Sequence, residues 1–162
     1  PISLITGPLC SPFLHADTSH LFYNSLPLIM FSAILFSKGV PFASCIIMSI
    51  SILSGLLLWL IGRHGIHIGA SGLIMGMMGY FLFNSYYNPG FINIIIGIVI
   101  LYYFGTMLLS IFPKDLSTSF EGHACGLVAG ITIAYYGKCF ALLNIATQPL
   151  ALTIQFIASY LT

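Results

Sequence analysis

Charge is what this sequence lacks most: four Lys/Arg and three Asp/Glu make up 4% of its 162 residues, where a soluble domain carries about a quarter. That shortage excludes a water-soluble globule. A formal net charge of +1 leaves no basic surface able to neutralise a run of phosphates, so no nucleic acid is expected as a partner. The four cysteines (Cys10, Cys45, Cys125, Cys139) form no CxxC and no Cys/His spacing suited to zinc, and they read as core thiols. HExxH is absent, and no apolar run contains an Asp, so zinc and aspartyl hydrolase chemistries within a membrane are both excluded. No metal and no organic cofactor is expected.

Apolar length is what the sequence has instead: 59% of the residues are hydrophobic and the mean hydropathy is +1.06. About 20 apolar residues cross roughly 30 Å of hydrocarbon, so the chain reads as an all-α polytopic membrane protein. Residues 1–19, broken by Pro8 and Pro12, lack the basic start and apolar run of a signal peptide and are expected to form a surface loop. Five spans follow, at about 20–37, 42–61, 69–86, 91–112 and 122–143. The first opens after Asp17-Thr18-Ser19, which are good helix N-caps, and Pro41 suits the first turn of the second. Asn88-Pro89-Gly90 is a turn signal. Residues 20–143 thus form the membrane domain, and the tail 144–162, with Gln148, Pro149 and Gln155, is expected to lie in the interface or to cross a sixth time.

Consecutive spans alternate in direction, so the first, third and fifth begin on the same side, here called upper. Their first turns carry His20 and Asn24, His67 and Ser71, and Glu121 and His123. Polar groups inside spans are expensive and mark function, and these converge at one level. Ser71 lies in Gly69-Ala70-Ser71-Gly72, where free N–H groups and the positive end of the helix dipole favour a developing oxyanion. The same stretch is also a packing motif, because Gly72, Gly76 and Gly79 continue at small-residue spacing. His123 shares a helix face with Gly126 and Gly130. A glycine face on each helix would bring Ser71 and His123 together as a nucleophile beside a base. His20 and Asn24, four apart, could supplement the oxyanion donors or merely cap and bond between helices. Glu121, two residues from His123, does not face it, so a Ser-His dyad is expected rather than a triad.

HxxxN, GASG and GHxxGxxxG, in this order and on alternate spans, resemble the rhomboid family of intramembrane serine proteases. The strings PFLHADTSHLFYNSLPL, HIGASGLIMGMMGYFL and FEGHACGLVAG are similar to its bacterial branch in particular, and the likeness covers about residues 8–135. The resemblance implies a rhomboid-like helical bundle with Ser71 as nucleophile and His123 as general base. His20, Asn24 and the Ser71 N–H would form the oxyanion hole, Gly69 would support the turn, and Gly72, Gly126 and Gly130 would allow close helix contact. It further implies cleavage of single-span membrane proteins and a place in the bacterial inner membrane, with the site on the non-cytoplasmic side. The fourth span would be the mobile helix that admits substrate. The family core has a span before the HxxxN helix, and the sequence is expected to begin after it. Where relatives often carry an aromatic residue four after the serine, Met75 stands here. The competing expectation is a non-catalytic rhomboid-like protein that binds membrane clients. A small transporter would call for inverted repeats or charged pathway residues, and neither is visible.

Overall fold

The computed structural model describes residues 18–63, 69–113 and 119–137, and five helices and no strand occur among them. Helix α1 spans Thr18–Phe36, α2 Val40–Ile61, α3 Ser71–Tyr87 and α4 Phe91–Phe104, the last running on into a 3-10 segment over Gly105–Ile111. Helix α5 covers residues 120–137. The expected surface loop and the 144–162 tail fall outside the described residues, apart from Thr18 and Ser19 at the start of α1.

The helix starts and stops follow local chemistry. Pro41 sits in the first turn of α2, where its missing N–H costs nothing. The chain turns at Gly90 into α4, and Asn93 Nδ2 donates to the Asn88 carbonyl at 3.0 Å to hold that turn closed. Most helix bounds fall within about two residues of expectation, and two departures have a local cause. Helix α3 begins at Ser71 rather than Gly69, because Gly69 has φ +115°, outside the helical region. The fourth span is not α-helical throughout, since its last seven residues tighten to 3-10 from Gly105 onward.

Helix α3 is the hub. Every residue from Ile74 to Phe81 on it is buried, as expected of a helix surrounded on all sides, and it packs against α1, α2 and α4. Fully buried Phe31, Ile50, Ile74, Met75, Met77 and Met78 form the centre of the bundle. Phe31 meets Phe81 and Phe104 edge to face, with ring centroids 5.9 and 5.2 Å apart, so one aromatic on α1 joins α3 to α4. The outer surface is itself apolar, with Phe22, Trp59, Leu60 and Tyr102 exposed. In lipid such side chains face solvent of their own kind, and helix association rests on close packing and hydrogen bonds rather than on the hydrophobic effect. Cys45 belongs to this outer face and is exposed, a correction to its reading as a core thiol, whereas Cys125 is buried. A thiol is apolar enough for either surface.

Among the described residues, α1, α2 and the α4 span (Phe91–Ile111) are long and apolar enough to cross a membrane. Helix α3, at 17 residues, is enclosed by its neighbours rather than by lipid. The whole is an all-helical polytopic membrane bundle.

Candidate active site

Helices α3 and α5 approach until their backbones touch. A Cβ built on Gly126 would collide with the carbonyl of Gly72, and one on Gly130 with the carbonyl of Gly76. A Cβ on Gly72 would stand 3.3 Å from the Gly122 oxygen, and one on Gly79 would stand 2.5 Å from the Leu127 oxygen. The contacts advance along both helices in the same direction, so α3 and α5 run parallel with their N-termini side by side. Ser71 precedes Gly72 and His123 follows Gly122, which sets both at the same end of the glycine seam, each partly exposed.

Ser71 is the first residue of α3, and the first intrahelical bond there is donated by Ile74 N–H to the Ala70 carbonyl at 2.9 Å. The Ser71 N–H therefore has no partner inside its helix and points out of the N-terminus, where the dipole favours negative charge. The N-cap residue, Ala70, offers no side-chain cap to this end.

The imidazole of His123 is held by one visible contact, Nδ1 to the backbone carbonyl of Ser110 at 3.2 Å. A carbonyl only accepts, so Nδ1 carries the proton, and in the neutral ring Nε2 keeps its lone pair for use as a base. Between Ser71 and His123 themselves no hydrogen bond is formed in this structure. Catalytic hydrogen bonds are often long before substrate binds.

His20 and Asn24 stand on α1 at the same end. The His20 ring lies against Gly69, where an added Cβ would be 2.7 Å from Cε1 and 3.0 Å from Nε2. Gly69 is thus required twice, by its positive φ and by the ring pressed on it. His20 is also within electrostatic reach of His123. Asn24 is buried at 5% exposure, and its Nδ2 finds no hydrogen-bond partner among the described residues. A buried amide donor without a partner costs about 1–3 kcal/mol, a cost that a bound oxyanion would remove. Asn24→Ala is expected to lower turnover by roughly 10- to 1,000-fold without loss of thermal stability. A folded Asn24→Ala protein with an unchanged rate would return the residue to packing.

The sequence expected no acid behind His123, and the Ser110 carbonyl occupies that place. Glu121 instead directs its carboxylate at Arg63, with Nε meeting Oε1 and Nη2 reaching Oε2 at 3.2 Å. Neither contact was foreseen. A backbone carbonyl has no side-chain signature, and Arg63 lies 58 residues from Glu121. His67, noted for its place near Ser71, lies outside the described residues, and so do His15 and His64.

A family model for the Rhomboid domain matches residues 3–138. The chain is similar to an uncharacterized protein of Mycobacterium tuberculosis, 37% identical over 139 residues that cover 80% of this chain and 58% of that protein. An uncharacterized protein of Mycobacterium leprae is 33% identical over 142 residues, covering 82% of this chain and 56% of its own length. A protein of Acanthamoeba polyphaga mimivirus, provisionally named a rhomboid protein, is 35% identical over 136 residues, or 79% of this chain and 72% of the viral one. The chain spans little more than half the length of the mycobacterial relatives it matches. No solved structure matches it.

Proposed function

The chain belongs to the rhomboid family, and from that premise we propose that it is an intramembrane serine protease working through a dyad of Ser71 and His123. The observation that carries this reading is the parallel glycine seam of α3 and α5, with the two residues at one end of it. His123 Nε2 takes the proton of Ser71 Oγ as that oxygen attacks the scissile carbonyl carbon. The oxyanion so formed is held by the Ser71 N–H, with His20 and Asn24 as side-chain donors. His123 then gives its proton to the departing amine as the peptide C–N bond breaks, leaving an acyl-enzyme on Ser71. Water, deprotonated by the same histidine, releases the new carboxyl terminus and restores the serine. No step uses a metal or an organic cofactor.

The depth of the site limits its substrates, which we take to be single-span proteins of the surrounding bilayer. A helix hides its carbonyls in internal hydrogen bonds, so the segment must unwind before Ser71 can attack. Unwinding in hydrocarbon leaves polar groups unsatisfied, and it is least costly near the membrane face and where Gly or Pro already weakens the helix. Cleavage is therefore expected near the upper end of the substrate span, beside small residues, on the non-cytoplasmic side of a bacterial inner membrane.

The test joins two measurements on the full chain in lipid. Ser71 should be labelled by a fluorophosphonate, and mapped cuts in a single-span substrate should lie near one membrane face and vanish when nearby Gly or Pro is changed to Leu. An unlabelled, folded protein that still retains membrane clients would favour the non-catalytic reading. Cuts at the bilayer centre of uniformly Leu-rich helices would overturn the unwinding mechanism.

A further inference from the structure

Only seven of the 162 residues are charged, yet two of them meet beside the candidate dyad. Arg63 follows the end of α2, on the connection leading to Gly69 and Ser71, and Glu121 stands in the first turn of α5, two residues before His123. Both guanidinium contacts go to the same carboxylate in a forked arrangement, the geometry that gives such a pair direction as well as attraction. The Glu121 side chain is 10% exposed. The Arg63 guanidinium carbon lies 5.0 Å from the ring centroid of Phe120, so the cation is also stacked on the residue that opens α5. Leu58, near the end of α2, comes within 3.8 Å of where a Cβ on Gly122 would be.

These contacts join two pieces of chain that the glycine seam alone does not control. The seam fixes how closely α3 and α5 pack. It does not fix the approach of the end of α2, where Arg63 stands, or the rotation of the first turn of α5, which aims His123. We propose that Arg63 and Glu121 are positioning residues for this dyad, clamping the end of α2 to the helix turn that carries the base. The pair touches no substrate, and its effect on rate passes through the relative placement of Ser71 and His123. This inference rests on the protease reading.

The experiment compares wild type, Glu121→Gln, Arg63→Lys and the double variant Arg63→Met/Glu121→Met, each as the full chain in proteoliposomes. Fluorophosphonate labelling of Ser71, kcat and KM for a single-span substrate, and Tm are measured for each. The double variant is included because apolar residues of similar volume often replace a shielded ion pair without loss of stability. Expected is a fall of roughly 10- to 100-fold in kcat and in labelling rate, the scale of a displacement of about 1 Å in a reacting group, with KM little changed. Arg63→Lys keeps the charge without the fork and should recover part of the loss, while the Tm of the double variant stays near that of wild type. A double variant with wild-type kcat overturns the proposal, as does a set of variants whose losses of activity all track losses of Tm. If Glu121→Gln does not fold, the double variant decides alone. Absence of labelling in folded wild type defeats the protease reading and this proposal with it, whereas normal wild-type labelling with undiminished variants defeats the proposal only.

Discussion

Ser71→Ala and His123→Ala are each expected to cut turnover by roughly 10⁴- to 10⁶-fold, with the double variant no worse than either. The reason is chemical coupling. In the proposed dyad serine attacks only when its proton leaves, and with Nδ1 engaged by the Ser110 carbonyl, His123 Nε2 is the ring nitrogen left to take it. Once either partner is gone, the other contributes nothing to the attack, and only the oxyanion donors and substrate binding remain. Single-turnover rates on one single-span substrate check this. Full additivity of the two losses would mean that the residues act separately and would end the dyad assignment.

Gly130→Val is expected to be as damaging without altering any reacting group. A Cβ at this position runs into the carbonyl oxygen of Gly76 and lies 2.9 Å from the Tyr80 nitrogen, so the obstacle is backbone, which cannot rotate aside as a side chain could. Valine adds two further methyl groups. Helices α3 and α5 must part, and Ser71 moves away from His123. Overpacking of this kind costs about 1–3 kcal/mol or more, so both Tm and activity should fall, and Gly126→Val should behave alike. Gly137→Ala serves as the control, since no atom of the described residues lies within 4 Å of a Cβ there. Normal turnover by a folded Gly130→Val protein would refute the claim that the seam sets the dyad.

Much of this arrangement was legible in the residue pattern, for physical reasons. Spans are visible because lipid forces long apolar runs, and Pro41 and Asn88-Pro89-Gly90 punctuate them because proline and glycine restrict or free the backbone locally. The seam could be anticipated because only glycine permits backbones to touch, so its spacing on two helices carries contact information. Four things stayed hidden. The tightening of the fourth span into a 3-10 segment has no periodic signature in a run that is apolar on every side. The His20 ring against Gly69 and the Arg63–Glu121 fork join residues distant in sequence, and single-sequence periodicity says nothing about such pairs. The partner of His123 is a main-chain atom that every residue type would supply, so the identity of Ser110 could not announce it.

On the protease reading, that main-chain atom links catalysis to the way a helix ends. Ser110 is the next-to-last residue of the 3-10 segment, and the N–H that would satisfy its carbonyl in this geometry belongs to the third residue on, Pro113, which has none. The sequence thus orphans an acceptor at the close of the fourth span, and His123 fills the vacancy. The histidine therefore terminates one helix while serving at the start of another. Its removal would abandon a carbonyl at a cost of about 1–3 kcal/mol, whereas removing the Ser71 hydroxyl abandons none. Of the two variants expected to be inactive, Ser71→Ala is consequently the one whose structure can be read as that of the native protein, and on the protease reading a substrate trap is best built on it.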